Sequence, residues 1–391
     1  MIAGALLVLA GAGWLLALVQ AVTLRRHLGE PVRDPRSCPF ISVLKPLCGV
    51  DDDLWKNLRS FTRLQYPGYE ILLGVKDRLD PAYPLALRAA ERWPDLVRVA
   101  VQRSAPGLNP KVNQLITLAA AARGEVLVVS DSNVRVRSDY LAGIASQFDD
   151  PRVGLVTHAV AGVGERTLGA LLDNLNMCGS IAPGVVAAKR LARMDLVVGK
   201  SMALRRGDLR ALGGFERLKD VLAEDFLSGR LVPRELGKKV ALAARPVFNV
   251  TRSQTLATFF ARYLRWSVMQ RKAVGNARYG AQIVLNPVAL AAAALLVSPG
   301  RWTALAFAAV SLARVAVHDT SSRALRGRGF STLCLLVPVA DLIVGCAWAA
   351  GLVRSEISWR GNRLLVRDGT RLERVAGRGL ANREGHVEIL G

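Results

Sequence analysis

The chain of 391 residues carries 53 lysines and arginines against 31 acids, a formal charge of +22, yet its mean hydropathy is +0.26. Its five cysteines (Cys38, Cys48, Cys178, Cys334, Cys346) and four histidines are scattered without Cys-x-x-Cys or zinc-type spacing, which excludes a disulfide-stapled or zinc-built domain and places the soluble part in a reducing compartment. Apolar and basic together, the chain is expected to sit in a membrane and to meet anionic lipid headgroups, phosphates or nucleic acid. Its cations are mostly arginine, which points to a GC-rich bacterial genome and hence to an inner-membrane location.

In chain order, residues 1–22 contain no charge and run into Arg25 and Arg26. A span needs about 20 apolar residues. The run is too long, and lacks the leading charges, for a signal peptide, so it reads as an anchor with its start outside and Arg25 and Arg26 in the cytoplasm. Residues 36–250 alternate short apolar runs with amphipathic helical patterns. Strands are expected at Ile41–Leu44, Tyr69–Val75, Val97–Val101, Val126–Val129 and Val153–Val156, and helices at Leu54–Leu64, Pro81–Trp93, Pro110–Ala122 and Tyr140–Phe148. That alternation argues for an α/β domain, a mostly parallel sheet with crossover helices. Asp51, Asp52 and Asp53 precede a helix and read as caps for its free N–H groups.

Polar clusters gather at strand ends. Val75 leads into Lys76, Asp77 and, further on, Asp80; Val129 leads into Ser130, Asp131, Ser132 and Asn133. The second cluster suits a turn, and equally a metal-nucleotide site outside the carboxyl end of a strand. Gly199-Lys200-Ser201 has the ending of a phosphate-binding P-loop, but Met194 stands where that motif requires its first glycine. Glu224 and Asp225 lie inside an apolar helical pattern. In the stretch 251–280, read as interfacial helices, Arg262 and Arg265 are three apart on one helix face beside Trp266. They suit a bidentate clamp on a diphosphate, or a solvated face at the headgroups.

Three further apolar segments follow at 281–298, 302–318 and 331–353, the first two read as a hairpin with a cytoplasmic loop carrying Arg323, Arg326 and Arg328. Pro338 and Asp341 allow the last segment a broken or re-entrant path, because a buried ionisable group there wants a partner. The tail 354–391 carries eight arginines. Charge places it in the cytoplasm, whereas a simple count of crossings does not.

Taken together, VLKPLCGVDDDLWKNLRSF, YPGYEILLGVKDRLDPA, GLNPKVNQL, VSDSNVRV, VVGKSMALRR, AEDF, RYLRW and ISWRGNRL resemble the D, D, D, (Q/R)xxRW pattern of inverting membrane glycosyltransferases, in particular the ceramide glucosyltransferase family. The matches run from about residue 41 to 366. The resemblance implies a GT-A-type mixed, mostly parallel sheet with one N-terminal and about three C-terminal membrane segments. It implies that Asp77 contacts the uracil and ribose of UDP, with Asp80 a lesser candidate. It places Lys111 near the diphosphate or sugar, and Asp131 at the sugar nucleotide and its divalent cation (Mg or Mn). Asp225 would be the general base, and Arg262, Arg265 and Trp266 would hold the leaving diphosphate. Asn133 stands where many such enzymes have a second metal-binding Asp. An amide oxygen can ligate such a cation but brings no charge. Where the eukaryotic enzymes have a histidine-containing stretch, this chain has residues Asn176 to Pro183, so that histidine's role does not carry over.

The expected activity is transfer of glucose from UDP to the hydroxyl of ceramide, a membrane lipid, at the cytoplasmic face. The rivals are another lipid acceptor (hopanoid, sterol or diacylglycerol), a processive polysaccharide synthase, which needs more spans, and a non-enzymatic binder of anionic lipid or nucleic acid. The last leaves the acids at the strand ends unexplained. Lipid headgroups account for the basic charge, so no nucleic-acid partner is expected.

Overall fold

The computed structural model describes residues 1–359 and 361–375. An eight-stranded sheet forms from β1 (Ile41–Pro46), β2 (Tyr69–Val75), β3 (Val97–Val101), β4 (Val126–Ser130), β5 (Val134–Arg135), β6 (Val153–Val163), β7 (Ser201–Arg205) and β8 (Lys239–Val250), in the order β3-β2-β1-β4-β7-β6-β8-β5. β1 pairs in parallel with β2 and β4, β2 with β3, and β6 with β8; β7 runs antiparallel between β4 and β6, and β5 antiparallel to β8.

The central strands are apolar on both faces because each face is covered. Val43, Ile71, Leu73 and Val128 point into one core, which the helices Leu54–Phe61 and Tyr140–Phe148 close. The alternate residues Leu44, Leu72, Leu127 and Val129 meet Val112, Leu115 and Leu118 of the helix Pro110–Ala121 on the other face. That helix starts where its sequence says it should. Asn109 accepts hydrogen bonds from the backbone N–H groups of Lys111 and Val112, and Pro110 follows as its first residue. Strand order reverses at β1 and β4, so the carboxyl edge there opens a crevice, the usual ligand place in such sheets.

The triplet after β1 is structural, but not as a cap. Asp53 takes the cap position with φ 53° and no side-chain cap bond. Instead Asp51 accepts from the Ser132 hydroxyl, Asp52 accepts from the backbone N–H of Arg252 at 2.6 Å, and Asp53 pairs with Arg252 and with Arg135. These acids tie the exits of β1, β4 and β8 together, and so fix the rim of the crevice.

Among the described residues, two helices are long and apolar enough to cross a membrane, Ile2–Leu28 and Ser331–Val353; the helices Asn276–Leu285 and Pro287–Val297, bent by 88°, qualify only as one broken span. The segment expected at 302–318 lies in the helix Arg301–Arg326, which is long but interrupted by Arg314 and polar in its second half, and it does not meet that measure. It nevertheless packs with the anchor: Ala10 meets Leu290, Ala291 and Phe307, and Ala17 and Ala21 meet Val317.

Asp341 has the partner its position requires. Arg314 Nε lies 3.0 Å from it, and the same guanidinium donates to Gly179 O and Ser180 Oγ. Before segment 331–353, Arg326 pairs with Glu165 at 2.6 Å; after it, Arg271 donates to the carbonyls of Gly351 and Arg354. The segment is therefore tied near its start to the stretch after β6 and at its end to the helix Leu256–Val274.

The chain then forms a three-stranded antiparallel sheet, β9 (Glu356–Trp359), β10 (Asn362–Val366) and β11 (Leu372–Arg374). Leu222 N donates to Thr370 O at 2.9 Å and Leu372 N to Asp220 O at 2.8 Å. The described part of the tail thus packs on the α/β domain; the remainder of the tail, from 376, falls outside the described residues.

Arg314→Met, which leaves Asp341 buried and unpaired, is expected to cost about 3–5 kcal/mol of stability, read as a lower thermal midpoint in detergent. Arg314→Met with Asp341→Leu should recover most of that loss.

Candidate active site

Backbone geometry brings four segments to the crevice: the exit of β4, the first turn of the helix Pro110–Ala121, the approach to β7, and the first turn of the helix Glu224–Leu236. Lys111 Nζ lies 2.9 Å from Asp131 Oδ1 and 2.8 Å from Glu224 Oε1, and donates to Gly199 O at 3.1 Å. Lys200 Nζ lies 3.0 Å from Asp131 Oδ2 and 2.8 Å from Asn133 Oδ1. Asp225 accepts from the backbone N–H of Gly199 at 2.6 Å and of Phe226 at 2.8 Å. Below them Lys45, fully buried in β1 against the Phe61 ring, donates to Asp131 O at 2.8 Å and Ser130 Oγ at 3.2 Å.

Gly199 lets the two side chains close in on the backbone. A Cβ there would stand 2.8 Å from Asp225 Oδ2 and 3.1 Å from Lys111 Nζ. Its amide holds the acid and its carbonyl the ammonium, so one residue, through the peptide on either side of it, sets the distance between them.

The charges separate the two aspartates. Burial, then the neighbouring Glu224 carboxylate, push Asp225 up to about 6, against the pull of Lys111. Burial works the same way on Asp131, but Lys111 and Lys200 outweigh it and hold its carboxyl well below the usual range. Lys111 itself is raised: burial opposes its charge, and Asp131, Glu224 and Asp225 more than compensate. Lys45 is lowered to about 7, chiefly by burial. The site therefore offers a carboxylate poised to take a proton near neutrality beside a cationic floor suited to phosphate.

Of the residues singled out in the sequence, Lys111, Asp131, Asn133 and Asp225 come together here. Asp77 lies at the exit of β2 on the same edge, where its carboxylate accepts from Leu79 N at 2.9 Å, and Asp80 accepts from Gly49 N and Ala82 N. Arg262 is bonded elsewhere: its guanidinium lies 2.6 Å from buried Asp173, which also accepts from the Tyr263 hydroxyl at 3.1 Å. Trp266 stands edge-on to Tyr263 and packs at the seam of two apolar clusters, and Arg265 is half-buried on the same helix, Leu256–Val274. The sequence reading gave no role to Lys45, Gly199 or Lys200. A lysine inside the otherwise apolar run ISVLKP was the one available signal for Lys45.

The profile of glycosyl transferase family 21 matches residues 5–372. The chain belongs to this family. Ceramide glucosyltransferase 3 of Caenorhabditis elegans is 25% identical over 255 residues, covering 65% of this chain and 55% of that protein. Ceramide glucosyltransferase 1 of the same organism is 27% identical over 254 residues, covering 64% and 53%. The family 21 chain thus spans about half the length of the curated relatives it matches. A beta-monoglucosyldiacylglycerol synthase of Trichormus variabilis is 28% identical over 122 residues, 31% of this chain and 26% of that one. Among solved structures, a mannosyltransferase from Pyrobaculum calidifontis in complex with GDP-Man and Mn2+ superimposes with a TM-score of 0.51 at 19% identity, covering 90% of this chain and 98% of that one. The fold of this family 21 chain is accordingly GT-A-like.

That neighbour holds a divalent cation, and the residues here can be tested for one. Asp131 and Asn133 turn an oxygen each toward a single point, marked by the Lys200 ammonium, so the pair fits a cation. It supplies little more, because no group of three or more His, Cys, Asp or Glu side chains is placed to hold a metal among the described residues.

Gly199→Ala is expected to lower kcat about 100-fold, the scale of an ångström-sized misplacement, with the thermal midpoint little changed.

Proposed function

We propose that the protein transfers glucose from UDP-glucose to the hydroxyl of ceramide at the cytoplasmic membrane face, with inversion, forming glucosylceramide. The observation that carries this reading is Asp225: a carboxyl raised to about 6 and seated on two backbone N–H groups, one peptide away from the Lys111–Asp131 pair. Family membership and the named ceramide glucosyltransferases support the lipid acceptor.

In this reading the nucleotide sugar lies along the carboxyl edge, with Asp77 at the uracil and ribose and Lys111 beside the diphosphate. The Asp225 carboxylate accepts the proton of the acceptor hydroxyl while that oxygen bonds to C1 of the sugar. The bond from C1 to the diphosphate oxygen breaks, and UDP leaves with the electron pair. Asp131 and Asn133 would hold Mg or Mn, which when bound neutralises the diphosphate. Arg262, kept in place by Asp173, would act with Arg265 and Trp266 at the boundary between diphosphate and acceptor, on the helix that meets the membrane segments. The anchor Ile2–Leu28, ending in Arg25, Arg26 and His27, supports a cytoplasmic catalytic domain. A glycerolipid acceptor is the second reading, favoured by the diacylglycerol-type relative.

Purified protein given radiolabelled UDP-glucose with ceramide and diacylglycerol in competition should label the ceramide product. Label in the glycerolipid alone would move the acceptor to the second reading.

Asp225→Asn should lower kcat roughly 10²- to 10⁴-fold, the usual share of a general base. The carboxylate is the active form, so kcat/KM should fall as pH drops through about 6 and level off above it. A profile flat from about pH 5 to 8, or an Asp225→Asn enzyme of near-full activity, would sink the assignment of the base.

A further inference from the structure

The seat formed by Asp131 and Asn133 already contains a positive charge. Lys200 precedes β7, is 18% exposed, and bonds both oxygens of the seat, Asp131 Oδ2 at 3.0 Å and Asn133 Oδ1 at 2.8 Å. The other Asp131 oxygen is taken by Lys111 at 2.9 Å. A small divalent cation such as Mg²⁺ takes its oxygen ligands at about 2.0–2.1 Å, so at the point where these two oxygens converge it would collide with the Lys200 ammonium.

Charge makes the exclusion stronger than sterics alone. Lys45, Lys111 and Lys200 face Asp131, Glu224 and Asp225, so the site is close to balanced without any added ion. Asn133 contributes an oxygen but no charge. Bringing in a cation alone would set a third positive group beside a carboxylate that already holds Lys111 and Lys200, which like-charge repulsion opposes. A nucleotide diphosphate reverses this balance, since its oxygens complete the cation's ligands and offer Lys200 a new partner. The seat itself is held from below, because Lys45 fixes the Asp131 carbonyl and the Ser130 hydroxyl.

We propose that Lys200 is an internal cation occupying the Asp131–Asn133 seat, and that a divalent metal enters only by displacing it, together with the nucleotide diphosphate. Cation binding and donor binding are thereby one event, and metal alone is kept out. The proposal rests on the nucleotide-sugar reading above and adds Lys200 to it as a positioning residue.

The test is Mn²⁺ binding to the full-length protein in detergent, followed by loss of the free-ion EPR signal, with Mn²⁺ alone and with Mn²⁺ plus UDP. The wild type should bind Mn²⁺ weakly alone and much more tightly with UDP. Lys200→Met should bind Mn²⁺ alone at least about ten-fold more tightly, as removal of a like charge at contact distance requires, and its gain from UDP should shrink. Lys200→Arg keeps the charge and should behave as the wild type, which separates the effect from damage to the loop. Asp131→Asn should abolish binding in each background. Equal Mn²⁺ affinity of wild type and Lys200→Met, with Asp131→Asn still abolishing it, would overturn the displacement and leave the cation site standing. Binding that ignores Asp131, or no saturable binding even with UDP, would remove the cation reading and this proposal with it.

Discussion

The Lys111 ammonium is shared between Asp131 at 2.9 Å and Glu224 at 2.8 Å, and through them it joins a crossover helix, the exit of the central strand β4 and the helix that carries Asp225. The crossover helix leads directly into β4, but the helix that carries Asp225 lies far downstream in the chain. A buried ion pair of this kind is poor evidence of stability, because desolvation consumes much of its attraction. Its value lies in position. With Lys111 satisfied on both sides and by Gly199 O, neither carboxylate can shift without stranding a charge. The remaining geometry follows from it, including the peptide of Gly199 that seats Asp225 and the cationic floor built from Lys45 upward.

The same arrangement lets one small crevice give two aspartates different affinities for a proton. Asp131 stays ionised because it has ammonium groups on both oxygens, and Asp225 is drawn toward neutrality by burial and then by the Glu224 carboxylate beside it. Environments that push like groups apart mark a division of labour. Here one carboxyl lies between two ammonium groups and the other sits on two backbone N–H groups.

Much of this was legible in the sequence, and what was not has physical reasons. β2 and β3 were read with the bounds observed, and β1 and β4 nearly so, because fully buried parallel strands are continuous apolar runs. β7 and β8 escaped notice: SMALR is short with polar ends, and KVALAARPVFNV holds an arginine and a proline. Asp131 and Asn133 stood out at a strand end and Asp225 inside an apolar helical pattern, whereas Lys111 was singled out only by the family resemblance. Lys200 was dismissed with a failed phosphate-loop motif, since nothing local tells a lysine which distant carboxylate it will meet. The reading of the acidic triplet as caps failed likewise, because Arg252 lies about two hundred residues away in the chain. In the membrane part, apolarity revealed the anchor, but the helix Arg301–Arg326 owes its place to Arg314 and its contact with Asp341, a pairing that hydropathy counts as a defect.

The bonds from Thr370 and Leu372 to the strand-like stretch Asp220 to Leu222 place the very end of the described chain two residues from Glu224. During synthesis the α/β domain emerges long before that final sheet. The wall beside the acid pair is finished only when the apolar helices between have been made and the chain has come back to the domain. The edge of the crevice is thus completed by one of the last described parts of the chain to be made, and a molecule whose final sheet has not docked lacks it.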